Sequence, residues 1–428
     1  MSSNTSKKKS NNLTFQQMLN RTFQNVRKSG DYCGGDRLTD GQDPKVMING
    51  MQEHIQLPLE PSQAKLIIEQ CSLAPFGRKD KTILDKSVRH TWQLNPSSFI
   101  ITNSEWKIHT LNNLKSKIVS DLGLNQDWIK NDLIDLQLYR LLLYEKDSFF
   151  KIHRDSEKVD GMFATLVIIL PSHYKGGEFV IKHYNQERRF DYSSTKCKCD
   201  YYYLVFYADC QHEILPIKDG YRLSLVYNIV VNKQKTDLCT QIPSPPFNEK
   251  YVQNISQALI KWSKTINSPT KLIIPFKHQY TKSNISPNFL KGKDYTIDNL
   301  IKRSIAELNE NSSNQKNSFI YLDETEFIDE EPQWKSSELY RFHEGDTGNE
   351  GVVETYWYRM GILLLIPYNW KWCLLSDDAV LDGFYKMCQS VENDENKMKL
   401  KETCIELVNY ILYLVYFKFV YYAVMGIF

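Results

Sequence analysis

The chain has 428 residues, 42% hydrophobic and 24% charged, with a formal net charge of +2. That length gives room for two or three domains with a sizeable core, and the composition is ordinary for a soluble globular protein. A charge balance so near neutral argues neither for nor against nucleic acid, and no nucleic-acid partner is indicated. Many of the 26 tyrosines fall in strand-like runs, where aromatic rings suit a half-buried pleated surface. The nine cysteines are an odd number without repeating spacing, and Met1 to Asn12 is polar with no apolar stretch of the secretory type. An intracellular reducing compartment, cytoplasmic or nuclear, is therefore expected, with free thiols. Cys197, Cys199 and Cys210 lack the fourth ligand and spacing of a zinc site, so they read as structural cysteines.

Residues 1–45 are rich in Ser, Asn, Lys, Gly and Asp and read as a disordered leader, with Lys7-Lys8-Lys9 a solvated run. Order is expected over 46–235. Ile55 to Leu59 predicts a short strand, and Ser62 to Cys71 a helix capped by its leading serine. Ala74-Pro75-Phe76-Gly77-Arg78 reads as a turn-rich loop. Short strands follow at Trp92 to Leu94 and Phe99 to Ile101. Apolar spacing through Trp106, Ile108, Leu111, Leu114, Ile118 and Leu122 predicts a second amphipathic helix. Two helices ahead of a strand-rich region suit a brace on one face of a sheet.

From Leu136 the pattern changes to β. Strands are predicted at Leu136 to Tyr144, Phe149 to His153, Phe163 to Leu170, Glu178 to His183, Tyr201 to Tyr207, His212 to Pro216 and Arg222 to Val231. So many short strands without intervening helices argue for a mainly β fold with flanking helices, a sandwich or jelly roll with its core over 136–231. Pro243-Ser244-Pro245-Pro246 marks a boundary. An α/β accessory region is expected over 250–385, with helices at Val252 to Thr265 and Thr296 to Leu308. Its strands are expected at Lys271 to Phe276, Phe319 to Leu322 and Gly361 to Pro367. Asp323 to Glu331 reads as a solvated acidic loop. The apolar run within 403–428 is long enough for one membrane span, although Lys418 would sit in its middle at a cost of roughly 3 kcal/mol. A tail anchor and a buried terminal helix both stay open.

The chemistry-bearing pattern is spread over this β region. His153 and Asp155 lie two apart in an extended run, so imidazole and carboxylate share a face while Arg154 turns away as a bystander. His212 follows on a later strand, and Arg222 and Ser224 again stand two apart. Two histidines and a carboxylate with open positions suit non-haem Fe(II). A guanidinium forks two hydrogen bonds onto one carboxylate, so Arg222 with Ser224 matches the far end of a dicarboxylate.

Four stretches together resemble the prolyl 4-hydroxylase-like branch of the 2-oxoglutarate/Fe(II) dioxygenases. They are Leu141-Leu142-Leu143-Tyr144-Glu145 with Phe149 to Asp155, Phe163 to Pro171 with Gly176-Gly177-Glu178-Phe179, Phe206 to Pro216, and Gly220 to Leu225. The resemblance implies a double-stranded β-helix with His153, Asp155 and His212 as iron ligands. It implies 2-oxoglutarate held by Arg222 and Ser224, Tyr144 and Thr165 lining the co-substrate pocket, O2 as co-substrate and ascorbate as a candidate reductant. Many prolyl hydroxylases carry lysine at the position of Arg222, so a prolyl side chain is one candidate substrate among protein and small-molecule ones. The flanks Ala74 to Arg78, His278-Gln279-Tyr280-Thr281 with Leu290-Lys291-Gly292, and Gly348 to Gly351 look like large fungal and protist members of that superfamily. The alternative is a catalytically silent module that binds 2-oxoglutarate and metal and acts as a sensor or interaction protein.

Overall fold

The computed structural model describes residues 13–26, 30–78, 81–124, 126–193, 200–232, 249–265, 272–281, 290–310, 319–321, 347–349 and 359–367. The Pro243–Pro246 break, the acidic loop, Cys197, Cys199 and the 403–428 tail lie outside these residues.

The β region forms two antiparallel sheets. The larger runs in the order Cys33–Leu38, Tyr201–Tyr207, Met162–Ile169, Arg222–Val231, Ile134–Tyr144, Trp92–Leu94 and Ser72–Leu73. The smaller runs Gln186–Phe190, Phe179–His183, Gln211–Ile214, Phe149–His153 and Arg89–His90. From Ile134 onward the chain passes repeatedly between the two sheets, which is the connectivity of a jelly roll. Both sheets feed one core, with Leu166, Leu204 and Leu225 from the larger and Phe150, Ile181 and Ile214 from the smaller. Every residue of Met162–Ile169 and of Arg222–Val231 is buried. Such strands are covered on both faces, which explains their unbroken apolar runs.

The cover on the outer face comes from the second helix. A π-type turn at Trp106–Leu111 runs into an α-helix at Asn112–Leu122. Trp106 Nε1 donates to the Tyr227 hydroxyl at 2.9 Å, and Tyr207 donates to the Leu122 carbonyl at 2.7 Å. Leu114, Ile118 and Leu122 are buried as their spacing predicts, whereas Ile108 is 53% exposed because the wider π-type turn rotates it away from the sheet. The predicted strands from 136 to 231 stand within two residues of their expected bounds.

Three local expectations need correction. Ile55 to Leu59 forms no strand: Pro58 has no N–H to give to a ladder, and only Leu59 bridges, to Ser172. The helix after it is Pro61–Gln70, with proline in the first turn, where its missing N–H does no harm, and no side-chain cap. Phe76–Arg78, expected in a loop, is a strand between Lys81–Ile83 and Thr347–Asn349.

The leader is the larger correction. Phe15–Asn25 is a helix whose N-terminus is closed by a reciprocal capping box between Thr14 and Gln17. Its Phe15 and Leu19 are buried in a second core with Val252, Leu259 and Trp262 of the Glu249–Lys264 helix, and the rings of Phe15 and Trp262 stack at 6.1 Å. Ile301 and Ile305 of the Gly292–Glu310 helix complete that core. Beside it stands a sheet of Leu272–Tyr280, Arg359–Pro367 and Phe319–Tyr321. Cys33–Leu38, also placed in the leader, is the edge strand of the large sheet. Among the described residues, no helix is long and apolar enough to cross a membrane.

Candidate metal centre

The site forms where the two sheets face one another. His153 closes the Phe149–His153 strand directly opposite His212 on Gln211–Ile214, so cross-strand register alone brings the two rings together. Their centroids are 4.1 Å apart with planes inclined at 54°. Asp155 sits just past the end of its strand, and its Oδ1 lies 3.7 Å from His212 Nε2. All three ligand groups fall within 4.8 Å of one another and all three residues are buried.

Each imidazole is oriented from behind. The Nδ1 of His153 lies 2.8 Å from the Lys151 carbonyl, and that of His212 lies 3.1 Å from the Cys210 carbonyl. A carbonyl only accepts, so Nδ1 carries the proton and each Nε2 lone pair faces inward, the tautomer that metal ligation needs. Phe150 stacks on His153 at 3.5 Å, and Phe206 lies 4.4 Å from His212. Burial, then the neighbouring His212, holds His153 well below the usual imidazole range. The carboxylate is oriented as well: Thr165 donates its hydroxyl to Asp155 Oδ2 at 2.5 Å. Thr165 lines the pocket as expected, but its hydrogen bond goes to the carboxylate ligand. Arg154 is no bystander, because its Nε donates to the Asp209 carbonyl at 3.0 Å.

A second feature lies on the facing sheet. Arg222 is 0% exposed and stands opposite Tyr144 in the sheet register. Its guanidinium lies 4.2 Å from the Tyr144 ring and 4.5 Å from the Phe179 ring. Nη1 donates to the Gly177 carbonyl at 2.6 Å, while Nε and Nη2 have no hydrogen-bond partner among the described residues. Ser224 Oγ is buried and likewise unpartnered. Gly177 has a positive φ of 71°, and a Cβ there would meet Ile217 Cδ1 at 2.3 Å, so only glycine carries that carbonyl to the arginine. Two unmet guanidinium donors beside an unmet hydroxyl call for a carboxylate. The donor sets thus fit Fe(II) at His153, Asp155 and His212, and 2-oxoglutarate with its far carboxylate at Arg222 and Ser224. Tyr144, Thr165 and Ser224 line the same cleft as the three ligands.

Arg89 and Arg140 also line that cleft, and neither stands in a motif that marks it. Cys210 contributes no ligand: it is buried, and burial pushes its thiol well up, so it stays protonated.

No protein-family model matches the chain, and no curated protein does. Solved structures to which it is similar include a Pseudomonas putida prolyl-4-hydroxylase at 17% identity, over 40% of this chain and 83% of that one, with a TM-score of 0.28. A prolyl hydroxylase from Trichoplax adhaerens, in complex with a hypoxia inducible factor peptide fragment, matches at 14% identity. It covers 53% of this chain and 94% of its own, with a TM-score of 0.32. A viral collagen prolyl hydroxylase from Paramecium Bursaria Chlorella virus-1 matches at 14% identity over 47% and 97%, with a TM-score of 0.25.

The buried neutral imidazoles set a pH dependence. Burial and the neighbouring His278 bring His183 from about 6.5 down to about 4. The unfolded chain takes up the proton that the folded chain refuses, so stability is intact above about pH 6.5 and falls as the pH drops. From His183 alone the loss is roughly 3 kcal/mol by pH 4. His153 adds to it in the same direction. Urea unfolding of the metal-free protein at pH 7.5 and pH 5 checks this: the midpoint is expected to be lower at pH 5.

Proposed function

We propose that this chain is an Fe(II)- and 2-oxoglutarate-dependent dioxygenase. It hydroxylates an unactivated C–H bond and releases succinate and CO2. What carries the reading is the pairing of a His-Asp-His triad with a buried arginine whose remaining donors await a carboxylate.

Bound in this site, the metal and co-substrate supply the oxygen chemistry: one atom of O2 goes to the C–H carbon and the other to succinate as 2-oxoglutarate loses CO2. The protein supplies geometry. His153 and His212 present their Nε2 lone pairs, and Asp155, aimed by Thr165, supplies the anionic ligand. Three protein ligands would leave positions on such a metal open to co-substrate and O2. Arg222 and Ser224 fix the far carboxylate, so the co-substrate reaches the metal in a single orientation. Tyr144, Phe179 and Val167 wall the cleft with apolar surface and keep water from the reacting centre.

A prolyl side chain within a protein is the first substrate class to test, with ascorbate as reductant. The experiment measures succinate formed from 2-oxoglutarate with Fe(II) and O2, alone and with a panel of prolyl peptides. Succinate formation that depends on Fe(II) and is stimulated by a peptide supports the reading. Saturable 2-oxoglutarate binding without succinate under any of these conditions overturns it in favour of a silent sensor.

A further inference from the structure

Two members of the triad, Asp155 and His212, are tied to one short turn, Tyr207 to Cys210, which links the Tyr201–Tyr207 and Gln211–Ile214 strands. Three successive carbonyls of that turn are used. The Ala208 carbonyl accepts from the Asp155 backbone N–H at 3.2 Å, and the Asp209 carbonyl from Arg154 Nε at 3.0 Å. The Cys210 carbonyl accepts from His212 Nδ1 at 3.1 Å. A shift of the turn therefore moves the backbone of one ligand and the ring of another.

The turn is clamped from outside the jelly roll. Asp209 is buried, and its carboxylate points into the second unit of the chain. Lys291 Nζ donates to Oδ1 at 2.9 Å, the Gln279 N–H to Oδ2 at 3.0 Å, and His278 Nδ1 lies 3.2 Å from Oδ2. Lys291 is 1% exposed and also donates to the Gln279 carbonyl at 2.7 Å. The clamp is itself held. Asp294, at the start of the Gly292–Glu310 helix, accepts from the N–H groups of Lys277 and His278 and from the Tyr280 hydroxyl. Tyr280 in turn accepts from the Lys291 N–H at 2.8 Å. Burial alone would raise Asp209; the Lys291 ammonium beside it, helped by the contact with His278, outweighs burial and holds its carboxyl well below the usual carboxylate range.

His183, Asp209 and His278 lie close enough together to suggest a second metal site. Ring geometry speaks against it. The two imidazoles stack at 4.2 Å with planes only 17° apart, so their in-plane lone pairs run side by side instead of meeting. The Lys291 ammonium already neutralises the carboxylate.

We propose instead that the unit carrying Glu249–Lys264, Leu272–Tyr280 and Gly292–Glu310 positions two iron ligands of the jelly roll, Asp155 and His212, through the Asp209–Lys291 pair. Asp209 and Lys291 are positioning residues: they touch neither metal nor co-substrate, and act through the Ala208 and Cys210 carbonyls. The inference rests on the iron-site reading above and extends it to a part of the chain far away in sequence.

Cobalt(II) is the probe, titrated into the full chain and read by calorimetry and by its visible absorption. Lys291→Met alone leaves a buried carboxylate uncompensated and risks misfolding, so the decisive variant is Asp209→Asn with Lys291→Met, which removes both charges together. Changes to groups that orient ligands from behind cost about 10–100-fold in metal affinity. The double variant is expected to lose affinity in that range, with a shifted absorption band. Leu259→Ala, in the second core, serves as the control of comparable thermal destabilisation. It is expected to keep wild-type affinity and spectrum. A double variant that binds cobalt(II) like the wild type overturns the inference, and so does a Leu259→Ala protein changed to the same degree. A wild-type chain that binds no cobalt(II) overturns the iron-site reading and this inference with it.

Discussion

Asp155→Ala is expected to abolish both metal binding and succinate formation, while leaving a folded protein. Asp155 is the only carboxylate in a triad whose other members are neutral, so its loss removes a ligand and also the negative charge that offsets a dication. The loss should go well beyond the roughly 10–100-fold that follows from disturbing a group behind a ligand. The cost to folding is smaller. Thr165 loses the acceptor for its buried hydroxyl, worth about 1–3 kcal/mol. Two further variants separate the parts. Asp155→Asn keeps an oxygen at the metal position without the charge, and belongs between alanine and wild type. Thr165→Val keeps the ligand but releases its orientation, and belongs within the 10–100-fold range. Calorimetric titration with Fe(II) under anaerobic conditions orders the series. An Asp155→Ala protein that still forms succinate at the wild-type rate would remove the triad from the mechanism.

The jelly roll and the triad were legible because burial there writes itself into the chain. Phe163-Ala164-Thr165-Leu166-Val167-Ile168-Ile169 is apolar without alternation because the sandwich covers one face and the Trp106–Leu122 segment the other. His153 and His212 stand in strands whose register brings them opposite each other, so strand placement was nearly enough to place the ligands. The N-terminal elements failed for the opposite reason. Cys33–Leu38 is Cys-Gly-Gly-Asp-Arg-Leu, without strand-like alternation; its glycines answer a close approach, since a Cβ on Gly34 would lie 2.3 Å from Asp121 Cγ. The strand is held by pairing with Tyr201–Tyr207, not by propensity of its own. Phe15–Asn25 did carry a local signal in Thr14 and Gln17, outweighed by the polar composition around it. The Asp209–Lys291 pair was not legible. Its partners are 82 residues apart, and although Leu290-Lys291-Gly292 stood out as a flank motif, nothing in the sequence joined it to Asp209. The flank motifs become intelligible only in three dimensions: His278, Gln279 and Lys291 meet at Asp209, and Phe76–Arg78 pairs with Thr347–Asn349.

Replacing Arg222 by methionine is expected to make the ligand-free protein more stable and the co-substrate site useless. The two effects share one cause. In the free protein a guanidinium is wholly buried with Nε and Nη2 unmatched, which is an uncompensated charge held out of water. Methionine fills similar space between Tyr144 and Phe179 without that penalty but leaves the Gly177 carbonyl without its donor, so a net gain of about 1 kcal/mol is expected in chemical denaturation at pH 7.5. When 2-oxoglutarate binds the wild type, its far carboxylate meets those donors, so ligand binding should raise the melting temperature by mass action. Arg222→Met should show no such shift. Charge-assisted contacts contribute about 1.5–3 kcal/mol each, so the apparent KM for 2-oxoglutarate should rise roughly 100-fold or more. Arg222→Lys separates charge from shape. An ammonium on a flexible stem keeps the attraction but cannot fork onto a carboxylate, so about a tenfold rise is expected. A methionine variant that binds 2-oxoglutarate as tightly as the wild type would show that the co-substrate is anchored elsewhere, and would leave the buried arginine without its anion.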